Sequence, residues 1–178
     1  RSCLVGSEMC IRDSLTNCSS ILRENIDAKI ISITGSCGKT TLKEMIGLIL
    51  KKISKTSFSP KSFNNKYGVP LSLFNMNQGD DFGVFEIGMD KKGEINNLSK
   101  IIKPDLGVIT NISYAHSKNF KNIKQIANAK AEIMNNIKKN GIIVLNGDDH
   151  FFHYLKGLAL KKKLKVISFA INNNSSEI

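Results

Sequence analysis

Tryptophan is absent, and tyrosine occurs three times in 178 residues. The aromatic signature that accompanies single-stranded nucleic-acid readers is therefore missing. No uninterrupted apolar run approaches the roughly 20 residues that a membrane-spanning helix requires. The chain thus reads as soluble and cytoplasmic, with no membrane partner. No zinc pattern is present either: Cys3, Cys10, Cys18 and Cys37 lack the paired spacing of metal ligands. A disulfide framework is not expected from them, and a reducing compartment fits better. Acidic residues are scarce, 15 against 26 Lys and Arg, which leaves a formal charge of +11. Such an excess can mark nucleic acid, an anionic membrane surface or anionic substrates as partners. The lysines, however, are scattered, with small clusters only at Lys51-Lys52 and Lys161-Lys163. A composition rich in Lys, Asn and Ile accounts for them, and a nucleic-acid partner is not expected.

What is there fits one domain of ordinary size, with 41% hydrophobic residues to build its core. Residues 1–14 (RSCLVGSEMCIRDS) show no clean period, and we expect no structure from them. Their apolar stretch is too short for a signal peptide. They resemble translated adapter sequence and are expected to be non-native, a natural but uninformative terminal segment being the alternative. The division is then an N-terminal segment, 1–27, and a domain, 28–178. The Asn-rich stretch at 172–176 reads as a loop, and both ends lead us to expect a truncated reading frame.

The middle alternates two periods. Strands are expected at 30–34, 82–87, 106–112, 142–145 and 165–169. Helices are expected at 40–53, 69–76, 93–102, 122–137 and 150–160, the first burying Leu42, Met45, Ile46, Ile49 and Leu50. Pro70 opens one helix and Pro104 follows another. This alternation predicts an α/β fold: a mostly parallel sheet with helices on both faces. In such sheets ligands bind beyond the carboxyl ends of the strands. The residues found there are Gly35 to Thr41, Glu86, Asn111, His116 and Asn146 to Asp149.

Between the first strand and helix lies Thr34-Gly35-Ser36-Cys37-Gly38-Lys39-Thr40-Thr41. Glycines let backbone N–H groups turn toward an anion, and the helix adds its positive end. Lys39 can reach terminal phosphates, and the Thr40 hydroxyl can ligate Mg²⁺. Only half of the usual phosphate-loop pattern is present, since the first glycine stands three residues before Gly38, and a generic glycine turn is the alternative. Glu86 ends an apolar strand, where a carboxylate is costly unless paired or metal-bound. It is the candidate Mg²⁺ carboxylate, or else a rim salt bridge. Lys130 shares a helical face with Ile123 and Ile137. It either snorkels to solvent or is desolvated, its amine then free to form a carbamate with CO₂. His116 is a loop histidine on the active edge, and simple solvation is its alternative.

Five elements in order resemble the central domain of the Mur ligase family, over residues 28 to 170. They are the Thr34 to Met45 loop and helix, Phe63-Asn64-Asn65-Lys66-Tyr67-Gly68-Val69-Pro70-Leu71, Glu86 to Ile95, Asn111-Ile112 with Ala115-His116, and Ala129-Lys130-Ala131-Glu132-Ile133. The second and third favour the branch that joins D-alanyl-D-alanine to UDP-N-acetylmuramoyl-tripeptide.

The resemblance implies an ATP- and Mg²⁺-dependent ligase of peptidoglycan synthesis that works through an acyl phosphate. In it Gly35, Ser36, Cys37, Gly38, Lys39, Thr40 and Thr41 would hold the phosphates. Asn64 and Asn65 would line the nucleotide and acyl-phosphate region. Thr40 and Glu86 would hold one Mg²⁺, and His116 and carbamylated Lys130 would serve a second. Lys39, Lys130 and His116 would be its catalytic residues. Cys37 departs from the Asn frequent at its position, and Ser117-Lys118-Asn119 from the apolar-acidic pair usual after the histidine. The family's substrate and lid domains lie outside this sequence, so the 178 residues alone are expected to be inactive, and monomeric. The alternatives are a sister Mur synthetase, a folylpolyglutamate-type ligase, or a phosphate-loop regulatory ATPase.

Overall fold

The first strand, β1 (Lys29–Thr34), is rich in β-branched residues, and its last three residues are all buried. A strand hidden on both faces belongs in the middle of a parallel sheet, and that is where it lies. The computed structural model describes residues 2–114 and 119–171. Its six strands run β2 (Thr56–Phe58), β3 (Phe82–Glu86), β1, β4 (Leu106–Ile109), β5 (Ile142–Asn146) and β6 (Lys165–Phe169) across the sheet. Every pairing is parallel. The α/β expectation is met.

Strand order reverses at β1, because the chain visits β2 and β3 on one side and β4 to β6 on the other. The crevice that such a reversal opens beyond the strand ends is where open α/β sheets place ligands. Register puts Ile33 beside Glu86 and Thr34 beside Ile109. The loop after β1, the end of β3 and the segment after β4 therefore emerge level with one another.

Side chains on alternate strand positions feed two cores. Ile30, Phe85, Ile87, Ile109, Ile143 and Leu145 face the larger one. It is covered by α3 (Gly68–Phe74), α4 (Glu94–Ile102), α5 (Ile123–Ala131) and α6 (Phe152–Lys161), through residues such as Leu73, Ile95, Ile126 and Leu155. Ile33, Val84 and Val108 face the smaller core, onto which α2 (Lys39–Lys51) lays Leu42, Ile46 and Leu50. Helices do cover both faces, but the second cover is thin. Met45 and Ile49, expected inside, are 56% and 60% exposed. The sheet surface under α2 is narrow enough to be met by one helical stripe, and the flanking positions are left to solvent.

Other differences have local causes. Residues 1–14 were expected to be structureless, but α1 (Ser2–Glu24) begins within them. Its last turns are anchored where Arg23, 4% exposed, donates to the carbonyls of Ile102 and Ile26 at 2.6 Å each. Burial lowers the Arg23 pKa, against the opposing pull of Asp105 and Asp27. Strand β2 was not expected, since three residues are too few to show a period. The helix foreseen over 122–137 divides into α5 and a 3₁₀ turn, Glu132–Asn135. Asn122 caps α5 by accepting from the Gln125 N–H. Among the described residues, no helix is long and apolar enough to cross a membrane.

Candidate nucleotide and metal site

The loop after β1 is shaped by two glycines. Gly38 takes a left-handed φ of 78° at the N-cap of α2, and Gly35 packs so closely that a Cβ there would lie 1.8 Å from the Thr110 hydroxyl. Only glycine permits that approach. The loop is then stitched to the segment following β4. Ser36 and Cys37 donate their N–H groups to Asn111 Oδ1 at 3.1 and 2.9 Å. Thr110 Oγ1 donates to the Cys37 carbonyl at 2.7 Å, and Ser36 Oγ to the Ser113 carbonyl at 3.0 Å. Lys39 arches back over the loop, its Nζ 3.1 Å from the Gly35 carbonyl. Cys37 and Thr41 are exposed, while Gly35 and Ser36 are buried.

In the first turn of α2, Thr40 Oγ1 donates to Glu86 Oε2 at 2.7 Å and stands 3.3 Å from Ser62 Oγ. Asn64 Nδ2 donates to the other carboxylate oxygen, also at 2.7 Å. Glu86 is 1% exposed. Its partners are a hydroxyl and an amide rather than a cation, so its charge is hydrogen-bonded but not neutralised. Asn64 is itself held where its carbonyl accepts from the Gly88 N–H at 2.7 Å, and a Cβ on Gly88 would fall 2.9 Å from Asn64 Cγ. The neighbouring Asn65 turns elsewhere: its Oδ1 accepts from the Tyr67 and Gly68 N–H groups at the start of α3.

Lys130 does not snorkel. The residue is 2% exposed, and its pKa is lowered from 10.5 to about 7. Burial is the main cause, the like charge of Lys39 adds to it, and Cys37 pulls weakly the other way. The helix α5 thus delivers a readily deprotonated amine to the same loop that carries Lys39. Two residues on, the Glu132 carboxylate accepts from the N–H groups of Gly93 and Asn96 and so caps α4.

A strand-to-helix glycine loop, an arched lysine, a threonine on a buried carboxylate and a desolvated lysine now share one sheet edge. Residues 33–178 match the family described as Mur ligase middle domain. The chain belongs to the Mur ligase family.

It is 37% identical over 163 residues to the UDP-N-acetylmuramoyl-tripeptide--D-alanyl-D-alanine ligase of Buchnera aphidicola subsp. Baizongia pistaciae, covering 92% of this chain and 35% of that protein. A crystal structure of MurF from Acinetobacter baumannii superposes with a TM-score of 0.84 at 35% identity, covering 89% of this chain and 35% of that one. MurF ligase from Thermotoga maritima, in complex with ADP, gives 0.83 at 30% identity, over 91% and 37% of the two chains. The chain thus spans about a third of the length of the relatives it matches.

Within this Mur ligase segment the donors near Glu86 are hard oxygens: a carboxylate and two hydroxyls, Thr40 and Ser62. That chemistry suits Mg²⁺, which keeps waters and shares phosphate oxygens rather than filling an all-protein cage. Consistently, no group of three His, Cys, Asp or Glu side chains gathers among the described residues. His116 lies outside the described residues. Asn111 was placed on this edge from the sequence without a role, and its role is to tether the loop. One member of the site was missed. Lys43 is wholly buried, and its one signal was a lysine four residues after Lys39 on a helix with apolar positions.

Proposed function

We propose that this chain is the phosphate-binding core of an ATP-dependent carbon–nitrogen ligase, one that adds D-alanyl-D-alanine to UDP-N-acetylmuramoyl-tripeptide. The observation that carries the reading is the Thr40–Glu86–Asn64 knot beside Lys39 and the desolvated Lys130. It lies in a chain 37% identical to a ligase bearing that name.

The N–H groups from Gly38 onward, at the N-terminus of α2, bind the phosphates of ATP, and Lys39 leaves the Gly35 carbonyl to pair with the terminal ones. Thr40 and Glu86 would hold a magnesium ion, which supplies charge neutralisation on the phosphate oxygens. Lys130, with an amine that is largely neutral just above pH 7, adds CO₂ and releases a proton to become a carbamate. A residue that as an ammonium would repel a cation could then, as a carbamate, serve as an anionic ligand to a second magnesium ion, with His116 beside it. Asn64, fixed by Gly88, orients the Glu86 carboxylate. The γ-phosphoryl group passes to the tripeptide's terminal carboxylate. The amine of the dipeptide attacks the acyl phosphate, and the adduct collapses to amide and phosphate. Such transfer depends on positioning and charge more than on covalent help from the protein.

The test is Mg²⁺-dependent binding of ADP or inorganic pyrophosphate to the chain by calorimetry, with Lys39→Ala beside it. Binding that falls by about two orders of magnitude in the variant supports the reading. Equal binding by both proteins refutes it. In a protein carrying this segment within a chain of the relatives' length, phosphate release should require both the UDP-linked tripeptide and the dipeptide.

A further inference from the structure

Lys43 is among the largest fully buried side chains of the described residues, at 0% exposure, and the mechanism above does not use it. It lies one helical turn beyond Lys39, on the face of α2 turned toward the loop that follows β2. Its Nζ donates to the Ser59 and Lys61 carbonyls, both at 2.6 Å, and pairs with Glu44 Oε1 at 2.7 Å. The aromatic ring of Phe58 lies 6.0 Å from the ammonium. Bonds from a lysine to two carbonyls and a carboxylate are charge-assisted, and they satisfy a group that burial would otherwise leave costly.

The segment it grips is the one that reaches the metal side of the site. Ser59 Oγ accepts from the Glu86 N–H at 3.3 Å. Ser62 stands beside Thr40, and Asn64 holds Glu86. Between them Lys61 has a left-handed φ of 47°, which a side chain with a Cβ adopts reluctantly. The loop therefore needs an external hold at the residue whose carbonyl Lys43 takes.

We infer that Lys43 is a positioning residue: a buried ammonium strut, rooted in the phosphate-loop helix, that sets the 59–64 loop so that Ser62 and Asn64 organise Thr40 and Glu86 for a divalent cation. The inference rests on the proposed function for the cation, and on geometry alone for the strut. Binding of phosphate by the loop N–H groups and Lys39 does not pass through Lys43, so the two contributions separate.

Lys43→Met keeps the stem and removes the charge and donors. Two measurements on the chain test the role, with Lys43→Arg as the variant that keeps both charge and donors. In hydrogen exchange, the Phe63, Asn64 and Gly88 amides should exchange about tenfold faster in Lys43→Met, with β4 and β5 unchanged. In calorimetry, the factor by which Mg²⁺ strengthens pyrophosphate binding should fall about tenfold, with Mg²⁺-free binding within about twofold of the parent. Lys43→Arg should retain more of both properties. Unchanged exchange at those amides overturns the inference. So does faster exchange throughout β4 and β5, which would make Lys43 a general stabiliser. Equal loss of affinity with and without Mg²⁺ overturns it as well. If the unmodified chain shows no Mg²⁺-dependent pyrophosphate binding, the proposed function fails, and the exchange measurement still decides for or against the strut.

Discussion

Removing the amine of Lys130 should make the fold more stable at neutral pH, and the gain should vanish as pH rises. The folded chain loses the Lys130 proton near pH 7, whereas the unfolded chain keeps it up to 10.5. Between those values the unfolded state holds one more proton. Stability therefore rises with pH across that window, by about 1.4 kcal/mol per pH unit. Below pH 7 both states are protonated, and the full penalty of burying the ammonium, about 5 kcal/mol, is present. Lys130→Met keeps a stem of similar shape and carries no such penalty. Urea unfolding in CO₂-free buffer at pH 7.5, 8.5 and 9.5 gives the comparison (the three values sample the window, and other groups titrate alike in both proteins). The difference between variant and parent should shrink steadily toward the alkaline end. Parallel curves would refute the reasoning, because they would mean that Lys130 keeps its proton in the fold by finding solvent or an anion. Adding bicarbonate should stabilise the parent alone, since only an amine can be carbamylated.

Two further outcomes follow from the same geometry. Glu86→Gln keeps a group that can accept from Thr40 but removes the charge, so Mg²⁺ should no longer strengthen pyrophosphate binding, while the melting temperature changes little. A magnesium effect that survives the substitution, measured by calorimetry, would show that the cation is held elsewhere. Cys37 is exposed in the loop proposed to hold phosphate, so Mg-ADP should slow its reaction with maleimide. An unchanged labelling rate would place the thiol off the nucleotide.

Much of the candidate phosphate side was legible in the residues themselves. A phosphate loop is a local object: Gly35 to Thr40 are contiguous, and strand, glycines, lysine and threonine must follow in that order for backbone N–H groups to converge. The place of Glu86 on the same edge was legible for a similar reason, because it closes an apolar strand. The alternation of strand and helix likewise dictated a parallel sheet, since parallel neighbours require crossovers. What local pattern does not carry is which distant side chains those crossovers bring together. Asn64 and Asn65 are adjacent and alike in chemistry. Only the approach of Gly88 decided that the first turns to Glu86, which left the second to start α3. Periodicity put Lys130 on an apolar face, yet whether it reached solvent depended on the cover above α5, and that cover left it 2% exposed. The same dependence misplaced Met45 and Ile49. A helix shows its apolar stripe in sequence, but the breadth of sheet beneath it, a property of the assembled strands, decides how much of the stripe is buried.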